Sequence, residues 1–379
     1  MAELLSGTTD SGRRTKERKI KVSRLQKLRD LLDQNELDAL IIDQSENRRY
    51  LSGFTGSAGW LIVSQNSALL AVDFRYTEQA KKESAGFEVV LVKGEVISWL
   101  SLYLSEHKFR KVGFEAEHVS LAAHQRFSTK IKDNGLKVEL VPTSGLVESI
   151  RAVKEPGEIE LIEKAVQLAD AAYGEARAIL RPGLTEAEVA WKLEKFLREK
   201  GSQAVPFEII VTSGPNSAQP HAKPSAKTIV KNEPVVIDLG ARVSGYCCDL
   251  TRTFFLGDTD KTFSKIYDIV LGAQLTALST IVSGMNGDQA DRLARTVIEQ
   301  ANYGEAFGHG LGHGVGLQTH ESPRLGPNST DVLVDRMVFT LEPGIYVPGW
   351  GGIRIEDTVV MENGKARTLT RADKKAYIS

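Results

Sequence analysis

Apolar and polar positions follow two different rhythms along this chain. From residue 22 to about residue 146, short apolar runs alternate with stretches of helical spacing. Residues 22–34 read as a helix and residues 39–43 as a buried strand. Residues 60–63 and 68–72 read as a strand pair around a polar turn at 64–67. Residues 47–59 are rich in Gly and Ser, which predicts loops. Mixed strands and helices over this length predict an α/β domain. Charge, Pro and Gly then coincide in residues 151–157, the composition of a linker. Beyond it, Ile159, Ile162, Val166, Ala169 and Tyr173 recur at helical spacing. Thr185 with Glu188 makes a capping box for the next helix, and Gly201 is a natural stop. Two further helices are expected over about 262–282 and 287–301, with strand-like runs between and after them. The second domain is therefore read as α+β.

At 379 residues the chain suits two domains of unequal size: a polar, flexible tail over 1–20, a first domain over 21–150 and a second over 151–379. Forty-eight basic residues against 49 acidic ones leave a net charge of -1, which gives no support to nucleic acid or an anionic membrane as partner. No apolar run approaches the ~20 residues that span a bilayer, and the first twenty residues hold no apolar core of signal-peptide length. The two cysteines, Cys247 and Cys248, are adjacent, so they build no disulfide framework and read as small buried strand residues of a cytoplasmic protein.

The chemistry concentrates in the second domain. Asp238 interrupts an apolar strand, where a lone carboxylate is costly unless paired or metal-bound. Asp249 follows eleven residues later, and the midpoint at Val243–Ser244 beside Gly245 predicts a hairpin that sets the two acids opposite each other. Glu342 and Glu356 repeat the arrangement around Gly349. Opposed carboxylates repel unless a cation lies between them. Three of the seven histidines, His309, His313 and His320, share one Gly-rich segment, where the backbone can approach a ligand closely. Carboxylate-dominated ligation with one imidazole suits Mn²⁺ or a similar divalent ion, and two such ions activate water for hydrolysis.

Taken together, these segments resemble the aminopeptidase P and prolidase family of metallopeptidases. The resemblance includes His221 in Pro220-His221-Ala222, and Arg49-Tyr-Leu-Ser-Gly-Phe-Thr-Gly56 and Asp73-Phe-Arg-Tyr-Thr-Glu-Gln79 in the first domain. It implies a pita-bread second domain preceded by a smaller α/β domain of the creatinase/prolidase type. It implies five metal ligands, Asp238, Asp249, His313, Glu342 and Glu356, holding two divalent ions per subunit, with manganese expected and cobalt or zinc as alternatives. Glu342 then acts in proton transfer, and His221 and His320 bind substrate and stabilise the transition state. His309 and Arg354 take substrate-pocket positions. The implied reaction is cleavage of Xaa-Pro bonds by a homo-oligomer, expected as a dimer. Release of the first residue from longer peptides is the favoured form, and cleavage of dipeptides the alternative. A creatinase-like or non-catalytic relative would lack ligands, and none is missing here. A two-metal phosphatase would want more cationic groups than Arg252 and Arg354 near the site.

Overall fold

The structure, a computed structural model, describes residues 23–258 and 260–378; the tail expected over 1–20 lies outside them. The first domain is a mixed six-stranded sheet. Its centre is the buried strand Ala39–Ile42, antiparallel to Trp60–Ser64 and parallel to Lys111–Glu115. Trp60–Ser64 and Ala68–Val72 form the expected pair, with Val63 facing Ala68 across the turn. The helix Arg24–Gln34 buries Leu28 and Leu32, one turn apart on its inner face.

Residues 45–52 depart from the expected loop. They form the helix Ser45–Ser52, ended by Gly53 in the left-handed region at φ 80°. The polar composition that suggested a loop is buried instead of solvated. Arg48 is 2% exposed and donates to the carbonyls of Asp43, Gly56 and Gly59, so one guanidinium satisfies the loop that follows.

The second domain contains a four-stranded sheet with the order Tyr377–Ile378, Leu250–Leu256, Pro234–Leu239, Ile210–Ser213. A five-stranded sheet runs Glu321–Leu325, Gly312–Gly314, Val338–Leu341, Asp357–Glu362, Lys365–Thr368. The long helices Pro156–Ile179 and Lys261–Thr280 bury apolar faces in separate cores. The two sheets are stitched directly: Thr358 Oγ1 donates to Asp249 O at 2.6 Å, and Glu356 N donates to Thr251 O at 3.1 Å.

The junction between domains is also not the solvated linker its composition predicts. Arg151 lies in the last turn of the helix Leu146–Ala152, and Pro156 opens the next helix behind a Glu155/Glu158 capping box. Arg151 and Lys154 are 2% and 1% exposed and are both paired with Glu321 of the second domain. One apolar core crosses this junction, joining Leu32, Tyr50 and Val147 to Ile162, Val166 and Leu250.

Candidate metal centre and substrate cavity

Both hairpins form, but only one in the predicted register. The first turns at Ser244 and Gly245, both at positive φ (46° and 83°), a two-residue turn that matches strand twist. The turn lies one residue later than spacing suggested, so Asp238 faces Thr251 and Asp249 sits diagonally, just before its strand begins. In the second hairpin Leu341 faces Asp357 and Gly344 faces Arg354. Glu342 and Glu356 lie opposite each other at the break between these two ladders. Pro343, with no N–H to give, interrupts the ladder there. Released from it, Glu342 N donates to Leu311 O and Glu356 N to Thr251 O.

These turns bring the acids together. Candidate ligand atoms of Asp249, His313 and Glu356 lie within 4.8 Å of one another. His313 Nε2 is 3.3 Å from Glu342 Oε1 and 3.7 Å from Asp249 Oδ2. Asp238 joins the cluster through Arg354, whose Nη2 donates to Asp238 Oδ2 at 2.6 Å. The His313 ring turns Nδ1 toward Gly314 O at 3.1 Å. A carbonyl only accepts, so Nδ1 carries a proton and Nε2 is the atom presented to the carboxylates.

The electrostatics are those of a site built for cations. Burial, then Glu356 and Asp238, push Asp249 well above the usual carboxylate range. Burial, then Glu342 and Asp238, do the same to Glu356. Burial also raises Asp238, outweighing the adjacent Arg354. Burial would raise Glu342 too, but the hydrogen bond and charge of His313 bring it down to about 2. Asp238 Oδ1, Asp249 Oδ1 and Glu356 Oε1 are buried with no hydrogen-bond partner among the described residues. Buried carboxylate oxygens left without donors call for metal ligation. The donor set of four carboxylates and one imidazole therefore fits divalent ions.

Three further histidines face this cluster. The His320 ring lies 4.0 Å from that of His313; burial, then His313, hold its pKa down to about 4. His309 Nε2 is 2.9 Å from Tyr346 OH, and burial lowers its pKa. His221 is exposed on the wall of the same cavity. All nine residues singled out from the sequence converge on this one cavity.

Comparison with known proteins agrees with that geometry. Residues 160–363 match metallopeptidase family M24, and residues 24–153 match the creatinase/prolidase N-terminal domain. This chain belongs to metallopeptidase family M24. A solved structure described as Xaa-Pro dipeptidase from Bacillus anthracis is 39% identical, with a TM-score of 0.90 over 94% of this chain and 99% of that one. The X-Pro aminopeptidase from Thermotoga maritima is 38% identical, with a TM-score of 0.82 over 91% of this chain and 98% of that one. The Xaa-Pro dipeptidase of Pyrococcus furiosus is 36% identical over 93% of this chain and 99% of its own length. The fold is thus the creatinase-type domain followed by the M24 pita-bread domain, as the resemblance implied.

Three hydroxyl residues of the M24 domain escaped notice in the sequence. Thr251, in the slot facing Asp238, donates to Glu356 Oε2 at 2.6 Å and accepts from Arg354 Nε at 3.1 Å. Thr340 Oγ1 accepts from His313 N and donates to Glu342 Oε1. Tyr346 OH accepts from Arg354 Nη1 at 2.9 Å and contacts His309. Thr340 and Tyr346 stand two before and four after Glu342, and Thr251 stands two after Asp249. Alternation along each strand was the only available signal, because a Thr or Tyr in a strand is otherwise unexceptional. Glu186, at the start of the helix Glu186–Glu199, is fully buried and accepts from Ser213 and Ser225. It thereby pins both ends of the loop that carries His221.

Proposed function

We propose that the chain is a dinuclear-metal Xaa-Pro aminopeptidase, which releases the first residue from peptides with proline in second place. The observation that carries the length preference is the cavity. It measures about 890 Å³ and runs from Asp238 and Glu342 outward to Gln44, Glu117 and His118 of the first domain. That exceeds what a dipeptide fills and leaves room for a chain continuing past proline.

Asp238, Asp249, His313, Glu342 and Glu356 would hold two divalent ions, with manganese favoured by the oxygen-rich donor set and cobalt or zinc as alternatives. Bound there, the ions supply acidification of water and polarisation of the scissile carbonyl. Glu342 receives the proton of the attacking water and returns it to the leaving imino nitrogen. His221 and His320 donate to the carbonyl oxygen as it gains charge. Arg354 holds Asp238 in place, while Tyr346 and His309 shape the wall beside it. A homodimeric, cytoplasmic enzyme completes this reading. Among the described residues no helix is long and apolar enough to cross a membrane.

A dipeptidase is the second reading, and Arg324 favours it. This exposed arginine lines the cavity four residues after His320 and has no carboxylate partner among the described residues. Its guanidinium suits the C-terminal carboxylate of a short substrate. Mn²⁺-loaded protein given Ala-Pro and Ala-Pro-Ala separates the two. Alanine release from the tripeptide is expected; cleavage of the dipeptide alone would establish the second reading. No cleavage of either with any divalent metal would overturn both.

A further inference from the structure

His320 needs a fixed position to meet a substrate carbonyl, yet its ring has no hydrogen bond of its own among the described residues. Its one ring contact there is with the tilted ring of His313, 4.0 Å away. Its placement therefore depends on the backbone of residues 316–320, and that backbone is wrapped around one carboxylate. Glu321, the next residue, is 4% exposed at its side chain. Its Oε2 accepts from Gln318 N at 3.3 Å. Gly316, at the start of the loop, has no Cβ where the Glu321 carboxylate lies.

Both cations that hold this carboxylate come from the domain junction. Arg151 Nη2 donates to Glu321 Oε2 at 2.5 Å, and Lys154 Nζ to Glu321 Oε1 at 2.7 Å. Arg151 Nη2 also reaches Gln318 Oε1 at 3.2 Å. The chain of contacts continues into the first domain. Arg151 Nη1 donates to Asn47 Oδ1 at 2.6 Å, and Asn47 Nδ2 donates to Glu115 Oε1 at 2.6 Å. Glu115 ends the strand Lys111–Glu115 and accepts from the backbone N–H of Asp43 and Gln44.

We propose that Glu321 is a positioning residue for His320, and that the Asn47–Arg151–Glu321 chain makes the placement of His320 depend on how the first domain is seated. The inference rests on the role assigned to His320 above. A planar fork suits this task, since one guanidinium must serve Asn47, Gln318 and Glu321 at once. Lysine at position 151 would keep the charge and lose that fork.

The test is a mutant cycle on the full-length Mn²⁺-loaded enzyme, using whichever of Ala-Pro and Ala-Pro-Ala is cleaved. Glu321→Gln and Arg151→Lys are each expected to lower kcat about 10- to 100-fold, because small displacements of an acting group are costly. KM and bound manganese should stay within about twofold, the pattern of an interaction made only in the transition state. Combined with His320→Ala, either substitution should add no more than about twofold to the loss from His320→Ala alone. Equal losses in both backgrounds, or unchanged kcat in the single variants, would overturn the proposal. If Glu321→Gln fails to fold, Arg151→Lys carries the cycle. Unchanged activity in His320→Ala alone would instead refute the role of His320, and the two failures are told apart by that variant.

Discussion

Glu356 and Asp357 are neighbours in sequence and equally buried, at 1% exposure each, yet they live in opposite electrostatic worlds. Asp357 is surrounded by donors: Arg252, Lys374, Gln274 and Thr370. Burial would raise its pKa, but Arg252 and Lys374 bring it below the usual carboxylate range. Among the described residues Glu356 has one side-chain donor, Thr251, and an orphaned oxygen, and Asp238, Asp249 and Glu342 lie around it. Across the step from 356 to 357 the side chains part: Glu356 turns to Asp249 and His313, and Asp357 to Gln274 of the helix Lys261–Thr280 and to Lys374. A buried carboxylate is structural when its charge is already matched, and it is a candidate ligand when the match is missing. Glu321 belongs with Asp357 by this criterion, despite lying on the wall of the cavity.

The contrast can be broken most severely among the clustered acids, at Glu342, which shares the cavity with Glu356. Glu342→Gln should keep the fold and lower kcat by about 10² to 10⁴, the usual weight of a positioned proton carrier. Steady-state kinetics of the Mn²⁺-loaded variant decides this, and activity within twofold of the parent would refute the role of Glu342. On the structural side, Asp357→Ala leaves Arg252 buried and unpaired, and urea titration should record about 3–5 kcal/mol of lost stability. Glu356→Gln should do the reverse in metal-free protein, raising the midpoint by relieving repulsion among the acids.

Metal binding sharpens the same distinction. Mn²⁺ at 100 times its Kd should stabilise the parent by about 2.7 kcal/mol, seen as a rise in melting temperature. Asp357→Asn should retain that rise, and Glu356→Gln should lose it. The smallest effect concerns pH. Burial opposes ionisation of Glu321, but Lys154 and Arg151 lower its pKa below the ordinary glutamate value. A depressed folded-state pKa means stability that is present above the unfolded value of ~4.3 and lost as pH falls through the folded value. Stability measured by urea titration between pH 6 and acid should therefore decline, and in Glu321→Gln that part of the decline should vanish. A parallel decline in the variant would show that other groups cause it.

Much of this was legible in the chain. Periodicity located the long helices, since their apolar stripes are local: Thr185 and Glu188 cap the helix Glu186–Glu199 as their spacing requires. Acids in apolar runs marked the site, because a buried carboxylate needs either matched donors or a cation. The second hairpin's register followed from Gly349 at its midpoint. The first hairpin differed by one residue because two consecutive positive-φ positions, Ser244 and Gly245, decide where its turn falls. That choice put Thr251 opposite Asp238.

What only the tertiary structure decided is where each charge finds its partner. Nothing local distinguishes Arg48, Arg151 and Lys154 from solvated basic residues. Their burial depends on Gly56 and Gly59 in one case and on Glu321, some 170 positions away in sequence, in the other. The sequence by itself determined which ionisable residues are the candidates for the chemistry and which elements bear most of them. Long-range pairing determined which of the buried acids are satisfied, and so which remain to bind a cation.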